Sequence, residues 1–172
     1  MRRRRCGRRS TGRHNGGMPN RRSAIAMTQA ETREFLNGVM TADLTTLGAD
    51  GWPHSVAMWF APDDEVLRMW TYRKSQKVLN LKRDPRFAVL IESGQSYNEL
   101  KGILVRGRAR ILEDFDEVKE IGKTLHGRYV LGEADYTIDP HSMSEIERQA
   151  HKRVGLELPL ERLATWDHSK LG

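Results

Sequence analysis

The dipeptide Asp50-Gly51, set between Ala42–Leu47 and Trp52–Phe60, most restricts what this chain can become. Asp-Gly between two apolar-bearing runs is a strong short-range hairpin signal, because a two-residue loop needs positive φ and glycine adopts it without steric cost. A second turn, Pro62-Asp63-Asp64, separates the next run, Val66–Thr71. Three short runs joined by tight turns predict an antiparallel meander.

The pattern then changes. Ser75–Arg83 predicts a short helix that Asp84-Pro85 stops, since the residue before a proline avoids the helical region. Phe87–Ile91 is almost continuously apolar and predicts a strand buried on both faces. Glu92–Asn98 reads as a loop and Leu100–Leu112 as one long strand, with Arg106, Arg108 and Arg110 on one side. A helix opens at Asp114 and runs to Leu125, another is expected at Ser144–His151, and Val154–Leu158 and Leu163–Trp166 close the chain as strands. Before all of these, Thr28-Gln29-Ala30-Glu31 has capping-box spacing and starts a helix over 28–39. Six or seven strands with few helices predict a mainly β protein with flanking helices, a closed or nearly closed antiparallel barrel that hides its strand edges.

Charge divides the chain in two. Nine of the 29 Lys and Arg residues lie in residues 1–26, which hold no acid, so residues 27–172 carry 20 basic against 23 acidic side chains, a net of −3. The overall surplus of +6 therefore says nothing about nucleic acid binding by the folded part. Residues 1–26 have almost nothing to bury and are expected to be a disordered Arg-rich tail, with 27–172 as the folded domain. The tail reads as a start assigned too far upstream, with Met18 or Met27 as the true one; the alternative is a basic arm for nucleic acid or another anionic surface. One cysteine, Cys6, excludes a disulfide framework, and six scattered histidines without an i, i+4 pair give no metal site. The longest apolar run, Val56–Ala61, is far short of a membrane span, and a cytoplasmic protein is expected.

Two segments carry chemistry. In Thr71–Arg86 a strand ends, Arg73, Lys74, Ser75 and Lys77 follow, and a helix begins. Unsatisfied N–H groups at a helix start favour an anion, and the cations reinforce them, so this is a candidate phosphate site. A solvated basic turn is the plainer alternative. In Gly51–Phe60, Val56, Ala57, Met58 and Trp59 form a flat strand along which a planar ligand could lie, and a strand that simply feeds the core is the alternative.

The combination of Gly51-Trp52-Pro53-His54 with Met58-Trp59-Phe60, the Lys74-Ser75-Gln76-Lys77 to Asp84-Pro85-Arg86 block and the ending Trp166-Asp167-His168-Ser169-Lys170-Leu171 resembles the flavin and deazaflavin oxidoreductases of the pyridoxamine 5′-phosphate oxidase family. The likeness spans about residues 28–171 and is nearest to the actinobacterial branch that uses coenzyme F-420. It implies a split antiparallel β-barrel (the FMN-binding split barrel), a homodimer, and a cofactor in the groove between subunits. It implies that Arg73, Lys74, Ser75 and Lys77 hold the cofactor phosphate, that Val56, Ala57, Met58 and Trp59 lie along its rings, that Asn80 and Arg86 support the basic block, and that Trp166 and Lys170 reach the partner's site. The C-terminal Arg-containing substrate signature of the true pyridoxamine phosphate oxidases is missing, which speaks against vitamin B6 oxidation.

The function so implied is hydride transfer from reduced F-420 to an electron-poor double bond of a small organic substrate. FMN is the alternative cofactor. The non-enzymatic alternative is a flavin, deazaflavin or haem binder in which His168 could ligate iron. His54 and Tyr72 have the chemistry of a proton donor, and no catalytic acid is assigned.

Overall fold

The computed structural model describes residues 21–132 and 137–171, and the tail expected over 1–26 lies outside them as far as residue 20. Its last six residues are described. Arg21–Ala24 form one helical turn, α1, and the Ile25 carbonyl accepts a hydrogen bond from the Asp167 amide (2.7 Å). The Met27 amide donates to Thr165 Oγ1 at 2.9 Å, and the Met27 side chain is buried.

Two antiparallel sheets enclose the core. The first has five strands in the order β2(Pro53–Met58), β1(Ala42–Leu47), β5(Arg86–Ser93), β6(Lys101–Arg108), β9(Arg162–Asp167). The second has four, in the order β3(Ala61–Pro62), β4(Val66–Tyr72), β8(Arg153–Pro159), β7(Arg110–Leu112). Their facing sides bury Leu44, Phe60, Leu67, Met69, Val89 and Val105 completely. The fold is a split antiparallel β-barrel with flanking helices.

The β1–β2 hairpin forms around Asp50-Gly51, through a five-residue connection, 48–52, rather than a two-residue loop. Gly51 has φ +83°, the Gly48 amide reaches the Trp52 carbonyl at 2.8 Å, and Asp50 Oδ1 accepts from the Trp52 amide. The capping box also forms: Thr28 caps α2(Gln29–Gly38), its Oγ1 accepting from the Glu31 amide while Glu31 Oε2 accepts from the Thr28 amide.

Three expectations need correction. The run Trp52–Phe60 is not one strand in a three-strand meander. Pairing with β1 ends at Met58, opposite Ala42, and the chain crosses at Trp59–Phe60 into the second sheet. Leu100–Leu112 is likewise two strands. It breaks at Ala109, whose amide leaves the ladder for the Pro85 carbonyl (2.8 Å), and Arg110 then belongs to the second sheet, paired to Glu157 at 2.8 Å. β5 is buried on one face only. Phe87, Val89 and Ile91 point into the core, whereas Leu90 is 37% exposed on the outer face beside Ala88. The run is apolar throughout because its outer-face neighbours Leu104 and Ala164 are apolar too, although on the other side the exposed Asp43 of β1 stands between Leu90 and Ala57 in the same row.

Helix α3(Gln76–Arg83) forms as expected and is tied to β1 by the buried Asn80, whose Nδ2 donates to Thr46 Oγ1 (3.0 Å). Helix α4(Phe115–His126) is capped by Asp114, and α5(Pro140–Ala150) starts earlier than expected because Asp139 caps it and Pro140 occupies its first turn. A π-helical turn, Gly127–Leu131, follows α4. Its Arg128 guanidinium donates to the Leu36 and Val39 carbonyls at the end of α2. Among the described residues no helix is long and apolar enough to cross a membrane.

Candidate functional site

The split has a physical cause. β2 has β1 on one side and no strand on the other. β3 is two residues long and covers only Leu67 and Arg68, so β4 from Met69 to Tyr72 has β8 on one side and an open edge on the other. The two open edges meet at the Trp59–Phe60 crossing, and α3 starts at the far end. A hollow there is formed mostly by the β1–β2 turn (Gly48, Ala49, Asp50 and Trp52), with Pro53 and His54 of β2 and Gln76 and Asn80 of α3 completing it. The cleft therefore runs from an aromatic corner to a helix start.

The helix start carries the charge. Ser75 sits at the N-cap with extended dihedrals, but its hydroxyl does not cap the helix; it lies 3.4 Å from Thr71 Oγ1. The Gln76 and Lys77 amides keep their outward donors, as the first amides of a helix do, whereas the Val78 amide already bonds the Ser75 carbonyl at 3.0 Å. Lys77 Nζ is half-buried and donates to Thr71 Oγ1 at 3.1 Å. Burial pushes its pKa below the usual lysine value, and among the described residues it has no carboxylate in ion-pair range. A desolvated cation facing a neutral hydroxyl is costly unless an anion joins it. Lys74 is exposed beside it, and the Arg73 guanidinium donates to the Arg153 carbonyl at 3.5 Å and lies near enough to Glu113 to help hold that carboxyl's pKa down.

The remaining cations of this block serve the scaffold. Lys82 pairs with Glu113 (2.6 Å), Arg83 donates to the Leu47 carbonyl, and Arg86 clamps Asp84 (2.6 Å), holding that carboxyl down at about 2. Asn80 and Arg86 thus contact their own chain.

Along the cleft the four strand residues do not share a face. Val56 and Met58 point toward the barrel interior and are half-buried, while Ala57 is exposed on the outer face. What the strand offers a planar ligand is its unpaired backbone edge. Trp59 is 54% exposed at the corner, stacked on Tyr129 with ring centroids 4.3 Å apart.

Trp166 and Lys170 lie elsewhere. Trp166 rests on Gly102, where a Cβ would fall inside the indole, at the end of the sheet remote from α3. Lys170 Nζ is engaged by Glu31 (2.7 Å) and by the Ala26 carbonyl (2.9 Å). His168 Nδ1 lies 3.0 Å from the Tyr97 carbonyl, and Tyr72 is exposed with Arg153 4.5 Å above its ring. His54 Nδ1 is buried without a hydrogen-bond partner among the described residues. The structure thus gathers Arg73, Lys74, Ser75 and Lys77 at one end of the cleft and Val56–Trp59 along it.

Two contributors escape a sequence reading. Thr71, the partner of Lys77, looks like any strand threonine, although its place four residues before Ser75 is a usable signal. Tyr129 stands 70 residues from Trp59, and nothing local to it announces the contact.

A family model described as pyridoxamine 5′-phosphate oxidase matches residues 28–167. A conserved hypothetical protein of Mycobacterium tuberculosis is similar at 38% identity, with 88% of this chain and 91% of that one covered and a TM-score of 0.79. A solved F-420 reductase is 26% identical over 76% of this chain and 94% of its own, with a TM-score of 0.57. The haem storage protein HutZ of Vibrio cholerae, 16% identical over 81% and 96%, shares the fold with a TM-score of 0.62. No curated protein matches the chain.

Proposed function

Because the chain belongs to the pyridoxamine 5′-phosphate oxidase family, we propose that it is an oxidoreductase whose cleft holds reduced coenzyme F-420 and passes a hydride to an electron-poor double bond of a small organic substrate. The observation that carries the reading is Lys77: a half-buried ammonium with no carboxylate in range among the described residues, next to a serine hydroxyl held only by a long 3.4 Å contact to Thr71 and a helix start without a side-chain cap. These residues fit a phosphate group. Similarity to an F-420 reductase supports the deazaflavin.

When bound, the cofactor supplies the hydride chemistry. The chain supplies binding and shape. Lys77, Lys74, Ser75 and the first-turn amides of α3 neutralise and orient the phosphate, with Arg73 at the rim. The open edge of β2 presents backbone groups to a ring edge, and Trp59, backed by Tyr129, walls the far corner against water.

A specific observation favours FMN as a second reading. Lys82, Arg83 and Arg86 are bound to their own chain, so the free basic track is short and suits one phosphate better than a long anionic tail.

The outer face of the five-stranded sheet supports a homodimer. Ala57, Ala88, Leu90, Leu104 and Ala164 are apolar on this face, with Asp43 between Ala57 and Leu90, Arg106 beside Ala88, and Arg86 and Arg162 further out, an apolar patch carrying both signs of charge that could meet its own copy across a two-fold axis. A homodimer through this face would bring Trp166 to the seam between subunits.

Equilibrium binding of F-420 and of FMN to the full chain tests the reading. Tight F-420 binding, weak FMN binding and loss on Lys77→Ala support it. Tight FMN binding alone moves the protein to the flavin reading, and binding of neither overturns both.

A further inference from the structure

Behind Trp59, between α4 and α5, lies a cavity of about 310 Å³, which is within the size range of small-molecule sites. The indoles of Trp59 and Trp70 and the side chains of Leu125, Val130 and Ile146 form its walls. Tyr129 covers one face of Trp59, yet that residue is 54% exposed, so its other face is open. Gly122 lets α4 approach closely enough to define the slot: a Cβ there would lie 2.6 Å from Trp70 Cζ3 and 2.9 Å from Ile146 Cγ2.

The polar groups around the slot are mostly committed. Glu145 is the one carboxylate in the lining, and Arg148 and Gln149 hold it, keeping its pKa at about 2. Gln149 Oε1 accepts from Arg153, and the Ser142 hydroxyl is hydrogen-bonded to Asp139. Among the described residues no Lys or Arg lines the cavity itself; Arg153 lies over the ring of Trp70, one of its walls, at 4.5 Å. Two imidazoles, His126 and His141, line it without a hydrogen bond among the described residues.

We propose that this slot binds a neutral, planar ring compound with a single hydrogen-bonding group, stacked on the free face of Trp59 and met at its polar edge by His126 or His141. Charged ligands find no counter-charge there, and a non-planar one does not match two indole walls. Because Trp59 ends the cleft opposite Lys77, such a molecule sits at the ring end of the cleft, and the geometry makes it the second reactant. That role rests on the reading of β2 as the ring-binding strand; the ring site itself does not.

The test uses calorimetry on the full chain with 2-naphthol as probe, alone and with F-420 present. Val130→Phe and Ser142→Leu fill the slot from two different elements, and neither residue belongs to the phosphate end. The expected result is one 2-naphthol per chain, affinity lowered at least about tenfold by either variant, F-420 affinity unchanged, and both ligands held together. Failure of 2-naphthol to bind, or affinity untouched by both variants, overturns the slot. Displacement of 2-naphthol by F-420 overturns the second-reactant role, since one site would then serve both. If the chain holds 2-naphthol but no F-420, the cleft reading falls and takes that role with it, while the ring site stands.

Discussion

The ring of Tyr129 lies flat against Trp59, with the two planes 9° apart, while its hydroxyl takes the Phe60 amide (2.9 Å) and reaches the Met40 carbonyl (2.6 Å). One side chain thus fixes both the exposed aromatic corner and the backbone that crosses between the sheets. The crossing cannot satisfy its own amides by strand pairing, so a hydroxyl from the turn after α4 does it.

Tyr129→Phe keeps the stacking and removes the hydroxyl. It leaves the Phe60 amide without a partner, and the expected loss of stability is about 1–3 kcal/mol. Urea unfolding should show a lower midpoint with the slope unchanged. An unchanged midpoint would mean that water replaces the hydroxyl at the crossing.

Lys77→Met should move binding and stability in opposite directions. Phosphate-bearing cofactor should bind about 10- to 100-fold more weakly, because a charge-assisted contact is gone. Folding stability should hold or rise, because a desolvated cation is gone with it. Burial holds the Lys77 pKa below its ordinary 10.5, so between the lowered value and 10.5 the unfolded chain binds more protons. Its contribution to stability therefore improves as pH rises through that window, and the variant should lack this alkaline gain in denaturant melts.

Glu31 titrates in the opposite sense. The Lys170 ammonium and the Thr28 amide and hydroxyl hold its carboxyl at about 2 rather than 4.5. The folded form keeps the charge that the unfolded chain gives up, so the stabilisation is present above about pH 4.5 and is lost as pH falls toward 2. Glu31→Gln should flatten the acid limb of the melting curve over that range.

Leu90→Arg tests the outer face. The residue is 37% exposed, so the fold should tolerate the change. Across the proposed two-fold interface it would set two new cations close together, and sedimentation should then show a monomer where the parent chain is the proposed dimer. A variant that sediments as the parent does would place the interface elsewhere.

What could be read from the residues was local. Asp50-Gly51 and the Thr28 to Glu31 box announce themselves because their hydrogen bonds close within four residues. The basic turn was visible too, since its cations are consecutive. Which of them are free was not, because Lys82 and Arg83 find partners 31 and 36 residues away. The sheet changes at Trp59–Phe60 and Ala109 left no mark, because a continuous apolar run passes through the first and the alternation with Arg106, Arg108 and Arg110 passes through the second. β5 misled for a related reason: an apolar outer face and a buried one look the same in one dimension.

The short strap before α2 gains a meaning from where it lies. Ile25 and Met27 bond to Asp167 and Thr165, along the free side of β9. An unprotected border strand invites the same strand of another molecule. A version beginning at Met27 would carry a charged amine where a peptide amide now meets Thr165 Oγ1, and it would lose the carbonyl that occupies the Asp167 amide. Such a shortened form should clump at high concentration when the longer one stays dispersed, even though every residue of the cleft is retained.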